Sequence, residues 1–203
     1  MHQDFTLLPP TLILAPLVCF SKKRLFEELS ESAGFLLKLP AKEINQALYA
    51  REAAGNTVVA PGIAIPHAVV DGAMPSLLIV SMLDEKVDFQ PLDSKPMAID
   101  IAFAFFFAPQ SKLEEAEEIL EGLSEILQNS DLTASLRRAH HDESKIDRLL
   151  HKIDTRLTQK LRPELQENEP EPPTAEPHDS ANNDSDEPLD ETVQAIANNL
   201  AES

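Results

Sequence analysis

The stretch Met97-Ala98-Ile99-Asp100-Ile101-Ala102-Phe103-Ala104-Phe105-Phe106-Phe107 alternates bulky and small side chains over most of its length. Successive residues of an extended chain point to opposite sides. Ile99, Ile101, Phe103, Phe105 and Phe107 therefore line one face, and Ala98, Asp100, Ala102 and Ala104 the other. A strand with one bulky and one small face implies helices packed against both sides of its sheet, at different distances. Residues 77–83 form a nearly continuous apolar run, which reads as a second strand covered on both faces.

Outward from these strands the period changes. From Ser111 it is helical, with Leu113, Ala116, Leu120, Leu123 and Leu127 in register. Shorter helices are expected around residues 132–139 and 143–153. Upstream, Ser21 is a suitable N-cap for a helix carrying Leu25, Leu29, Ala33 and Leu36 on one face. Pro40 opens a second helix that ends near Gly55. Residues 57–59 and 63–65 read as short strands around Pro61-Gly62, residues 87–89 as another, and Asp71-Gly72 as a turn. Helix, helix, several strands and then helices make an α/β fold. The expectation is a single domain with a mixed β-sheet flanked by helices on both sides, plus a disordered acidic C-terminal tail.

The tail follows from composition. All 17 Lys and Arg of the 203 residues lie at or before Arg162, and six prolines and only acidic charges follow. Such a stretch buries too little apolar surface to offset its ordering entropy. Its last part, residues 190–200, places Val193, Ile196, Ala197 and Leu200 at helical spacing, which fits a docking peptide or a frayed end. The net charge of −18 repels phosphate backbones and argues against nucleic-acid binding. Cys19 alone excludes an internal disulfide and a multi-cysteine zinc site. The apolar residues 11–20 are about half the ~20 needed to span a bilayer, and Pro16 interrupts them. They also lack the flanks of a signal peptide. A cytoplasmic protein without membrane insertion is expected.

Of six histidines, only His67 lies in an apolar, turn-rich segment, Gly62-Ile63-Ala64-Ile65-Pro66-His67-Ala68. Pro66 fixes its own φ and pushes Ile65 into extended geometry, so the imidazole is presented at a defined place near a strand end. Such positioning supplies much of the rate in phosphoryl transfer. A hydrogen-bonded structural histidine is the alternative. The pair His140-His141, with Asp142, reads as a solvated helix end, because adjacent side chains on a helix diverge; no metal and no cofactor is expected. The sequence holds no P-loop, G-x-S-x-G, H-E-x-x-H or dinucleotide glycine pattern.

Arg51-Glu52-Ala53-Ala54-Gly55-Asn56-Thr57, four residues, and then Gly62-Ile63-Ala64-Ile65-Pro66-His67 resembles the enzyme IIA family of the phosphoenolpyruvate-dependent phosphotransferase system. The likeness is to the fructose, mannitol and nitrogen-regulatory type, which reads R-E-x-x-G-S-T and G-x-A-x-P-H at the same spacing. Ser21-Lys22-Lys23-Arg24 before the first helix and the turn Asp93-Ser94-Lys95-Pro96 are similar to the nitrogen-regulatory branch. The likeness covers roughly residues 18–154, giving an N-terminal extension 1–17, an enzyme IIA-like domain 18–154 and a tail 155–203.

The resemblance implies that His67 is the catalytic nucleophile, taking a phosphoryl group from a phosphohistidine on a small histidine phosphocarrier protein. One ring nitrogen would attack while the other keeps its proton against a backbone carbonyl. Thr57, Asn56 and Arg51 are the implied phosphoryl-binding residues, with Arg51 equally readable as a cap on the second helix. Glu52 reads as a solvated helix residue. Onward partners would be a sugar-transporter IIB component or a regulatory protein target. The chain carries no transporter segment, which favours a regulatory role.

Three departures stand out. Asn56 replaces the usual Ser, and Ala60-Pro61 replaces Gly and a polar residue. The family's second active-site histidine, on the helix after a proline, has no counterpart; after Pro109 its place falls to Ala116 or Ile119. Glu114, Glu115, Glu117 and Glu118 lie nearby and would oppose an incoming phosphoryl charge if they faced the site. Two functions fit: a phosphohistidine carrier in a nitrogen-type regulatory role, and a transfer-deficient enzyme IIA-like binding module acting through protein contacts.

Overall fold

The computed structural model describes residues 6–89, 97–109 and 113–165. In chain order the elements are β1 (Thr11–Leu17), α1 (Lys22–Leu37), α2 (Ala41–Ala54), β2 (Val58–Ala60), β3 (Ile63–Ala64), β4 (His67–Val69), β5 (Leu77–Asp88), β6 (Ala98–Phe107), α3 (Leu113–Ile126), α4 (Ser130–Arg138) and α5 (Glu143–Leu161), followed by a 3-10 turn at Pro163–Leu165. The strands form one mixed sheet in the order β1-β5-β6-β3-β2, with β4 also paired to β6. β5 and β6 are antiparallel, while β3 and β4 run parallel to β6.

The two faces of β6 sort the core as its sequence pattern implies. Ile101, Phe103, Phe105 and Phe107 pack in a cluster with Ala116, Leu123 and Leu127 and with Leu136, Ile146 and Ile153 of α4 and α5. Ala102, Ala104 and Phe106 face Leu25, Phe26 and Leu29 of α1 and Ile44 and Leu48 of α2. Helices therefore cover both sides of the sheet, as expected. Ile99 is an exception. It joins the α1/α2 cluster, close to the register shift between Met82 and Val87 where β5 breaks its regular pairing with β6.

The caps of α1 and α4 show why these helices begin where they do. Ser21 Oγ accepts from the Arg24 amide at 3.1 Å, and Asn129 Oδ1 from the Leu132 amide at 2.9 Å, each satisfying an otherwise orphaned helix N–H.

Two domain limits differ from the sequence reading. Residues 11–17, set apart as an extension, form β1, which pairs in parallel with β5 from Thr11↔Leu78 onward. Leu7 also belongs to the core, and its amide and that of Leu8 donate to the buried Asp154 carboxylate at 2.9 and 2.7 Å. At the other end, α5 runs past 154 to Leu161, because Leu157 continues the apolar face of Ile153 at i+4 and is fully buried. The expected disorder of the tail falls almost wholly outside the described residues.

Candidate active site around His67

His67 opens β4, and two backbone bonds fix its approach. The Ile65 amide donates to the Thr57 carbonyl at 2.8 Å, and the Phe105 amide to the Pro66 carbonyl at 2.9 Å. One turn earlier, Gly62 sits at φ +81, a conformation glycine adopts without the Cβ penalty. Its carbonyl accepts from the Asp100 and Ile101 amides at 2.8 and 3.1 Å. Arg137 braces this turn from outside, with paired bonds of 2.9 Å to both Asp100 oxygens and one of 2.8 Å to the Pro61 carbonyl.

The imidazole itself is held at both nitrogens. Nδ1 lies 2.9 Å from the Ile65 carbonyl oxygen, which only accepts, so Nδ1 carries the proton. Nε2 is then left with its lone pair and accepts from Arg51 Nε at 2.8 Å. The two contacts require the same tautomer. Burial pushes the His67 pKa below 6.5; the Arg51 charge adds to the shift, and the Ile65 carbonyl and the Glu52 charge oppose it. The ring is half-buried, and in its neutral form Nε2 carries the lone pair.

Of the two roles open to Arg51 in the sequence, the structure shows the cap on α2. Besides its bond to His67, its Nη1 donates at 3.1 Å to the carbonyl of Gly55, the C-cap of α2. Glu52, read as solvated, is the clearest correction. Its carboxylate side chain is only 7% exposed and is bridged by Lys22 Nζ at 2.7 Å and by the Thr57 hydroxyl at 2.7 Å. Lys22 also donates to the Phe89 carbonyl at 3.0 Å and lies over the Phe89 ring.

Thr57 and Asn56 each make contacts of their own. The Thr57 residue is 4% exposed and its hydroxyl is committed to Glu52; its carbonyl, through Ile65, positions His67. Asn56 Oδ1 accepts from the Val58 amide at 2.8 Å, closing the turn into β2.

A hollow of about 780 Å³ opens beside the imidazole, lined by His67, Arg51, Val69, Ala116, Glu117 and Glu121 among others. Ala116 of α3 lines the hollow and Ile119 does not, although both are buried in the core cluster, at 6% and 7% exposed. Of the glutamates considered from sequence, Glu117 lines the hollow and Glu114, Glu115 and Glu118 do not; Glu121, one turn beyond Glu117, joins it. Glu118 pairs instead with Arg162 at 3.2 Å.

The family described as phosphoenolpyruvate-dependent sugar phosphotransferase system, EIIA 2, matches residues 6–152. The chain belongs to this family. Among its relatives, this enzyme IIA domain is 36% identical over 120 residues to a nitrogen regulatory protein of Pseudomonas aeruginosa, spanning 59% of this chain and 76% of that one. The crystal structure of nitrogen regulatory protein IIA-Ntr from Neisseria meningitidis superposes with a TM-score of 0.59 at 27% identity, covering 69% of this chain and 94% of that one. The same fold, at 15% identity and a TM-score of 0.54, occurs in a complex of mannitol enzyme IIA and phosphorylated enzyme IIB from Escherichia coli, over 69% of this chain and 94% of that one. The family match begins at residue 6, so it takes in β1, in line with the pairing of that strand in the sheet. No described helix of this enzyme IIA domain is long and apolar enough to cross a membrane.

Proposed function

We propose that this enzyme IIA domain is a cytoplasmic phosphohistidine carrier in a nitrogen-type regulatory role, accepting its phosphoryl group on Nε2 of His67 from a small histidine phosphocarrier protein. The observation that carries this reading is the fixed tautomer, with Nδ1–H on the Ile65 carbonyl and the Nε2 lone pair toward Arg51. In the transfer, a bond forms between Nε2 and phosphorus as the bond from phosphorus to the donor imidazole breaks. The donor nitrogen keeps the electron pair, and the proton on His67 Nδ1 stays where it is. Arg51 first leaves the lone pair and then faces the phosphoryl oxygens, where a preorganised cation stabilises the developing charge. Thr57 and Asn56 act on this reading by holding the segment that presents His67. The step needs no cofactor.

A second reading has its own support. Ala116 offers no donor where it faces His67, and Glu117 and Glu121 place carboxylates along the same hollow. A transfer-deficient module that works through protein contacts would tolerate such a lining.

The test is incubation with phosphoenolpyruvate and the general phosphotransferase components, followed by intact-mass analysis. An acid-labile gain of one phosphoryl group, absent in His67→Ala, is expected. No uptake replaces the carrier with the binding module. Label that persists in His67→Ala, or maps to His140 or His141, refutes the assignment of the nucleophile. The complexed enzyme IIB of the mannitol system suggests an analogous downstream acceptor, and a regulatory protein target is the other candidate.

A further inference from the structure

We propose that Asp84, His140 and His141 form a binding site for a divalent transition metal of the zinc type, at the end of the sheet away from His67. The sequence suggests a helix end with diverging imidazoles. The structure instead puts both histidines in the turn between α4 and α5, outside either helix, with ring centroids 3.6 Å apart. Asp84, on β5, approaches from a different element, its Oδ1 4.0 Å from His140 Nε2. One ligand atom from each of the three residues lies within 4.8 Å of the others. Tetrahedral zinc with bonds of about 2.0–2.1 Å holds its ligand atoms about 3.3 Å apart. Closing that difference calls on three side chains that are all partly or fully exposed.

The donor set selects the metal class. Two imidazoles and one carboxylate suit Zn²⁺, Co²⁺ or Ni²⁺, whereas Mg²⁺ and Ca²⁺ prefer oxygen alone. Three protein ligands leave a coordination position for water or for a partner's side chain. The surrounding charges permit the site. Arg137 lines the same hollow, but its cation is already paired with Asp100. Lys86 is the remaining cation there. His67 pairs with Phe105 and Phe105 with Leu78 across the sheet. Met82 lies four residues along β5 from that row, about 14 Å at a strand's rise, and Asp84 lies beyond it, so the metal would sit well apart from the phosphoryl chemistry.

The test is calorimetric titration of the full chain with zinc chloride in a non-coordinating buffer, at neutral pH. One saturable zinc per chain is expected. His140→Ala and His141→Ala should each weaken it by at least about 10–100-fold, the range seen even for outer-shell partners, and Asp84→Asn should weaken it as well. His67→Ala should leave it unchanged. Cobalt should give the visible absorption of a tetrahedral centre in the wild type and lose it in His140→Ala. The substituted side chains are surface groups, and melting curves without metal check that each variant folds. Absence of saturable zinc binding overturns the proposal. So does binding that survives both histidine substitutions, which would place the ion elsewhere in the chain, or binding that disappears in His67→Ala.

Discussion

Arg51 and His67 share one hydrogen bond, from Nε–H to Nε2 at 2.8 Å, and it occupies the lone pair that a phosphoryl group would need. The same guanidinium is tied to the end of α2 through Gly55, so the residue that covers the imidazole lone pair is itself held in place beside it.

Removing that cation should separate two effects. In Arg51→Ala the His67 pKa should rise toward 6.5, since the Arg51 charge is one cause of its depression. Phosphoryl uptake should nonetheless slow by about 10²–10³, the usual cost of losing one preorganised donor. Imidazole titration by NMR and single-turnover labelling read the two separately. A faster uptake would mean that the bond to Nε2 acts mainly as a block.

The depressed pKa of His67 also sets a pH signature. The folded ring stays neutral below about pH 6.5, where a free imidazole gains its proton. Uptake should therefore remain flat as pH falls through that value and decline only lower. A titration midpoint at or above it contradicts the burial argument. Stability follows with the same sign. Below the unfolded pKa the unfolded chain binds more protons, so this contribution is full above about pH 6.5 and is lost as pH falls through the folded pKa. Denaturation of wild type and His67→Ala across that window should show the difference shrinking on acidification.

Local pattern and distant partners were not equally legible in the sequence. The two faces of β6, the caps at Ser21 and Pro40, and the Pro66-His67 presentation are local features, and they could be read directly. β1 escaped notice because Pro16 breaks its apolar run; the strand tolerates Pro16 as an edge strand, with its register shift between Leu14 and Leu17. Glu52 looked solvated because Lys22 lies 30 residues away, and no spacing rule connects them. Ala116 and Ile119 are three residues apart on one apolar face, so only the packing of α3 shows which one meets His67.

The Lys22–Glu52–Thr57 network predicts a stability defect. Glu52→Ala leaves the Lys22 ammonium, a quarter exposed, with only the Phe89 carbonyl, and the buried Thr57 hydroxyl without its acceptor. Breaking a buried pair costs about 3–5 kcal/mol, and partial exposure of the lysine places this case nearer 2–4. Urea denaturation should show that loss, with a smaller one in Lys22→Met/Glu52→Gln, where the charge is removed from both sides. Additive losses would mean that the three groups do not act as a unit.

The final prediction concerns the α3 position on the hollow beside His67. Ala116 lines that hollow and Ile119 does not, although both belong to the core cluster. Ala116→His would supply a donor to the moving phosphoryl group, and acceleration by about 10²–10³ is the scale such a donor provides. Ile119→His should not accelerate transfer, and it should destabilise the fold by about 1–3 kcal/mol through an unsatisfied polar group. Glu117→Gln and Glu121→Gln should each raise the uptake rate modestly, more at low salt than at high salt, because they remove like charge from the approach of an anion. Single-turnover kinetics on the four variants, beside melting curves, reads all of this. Acceleration in Ile119→His but not in Ala116→His would show that the helix presents the other position. If neither histidine changes the rate, the missing donor is not what limits transfer.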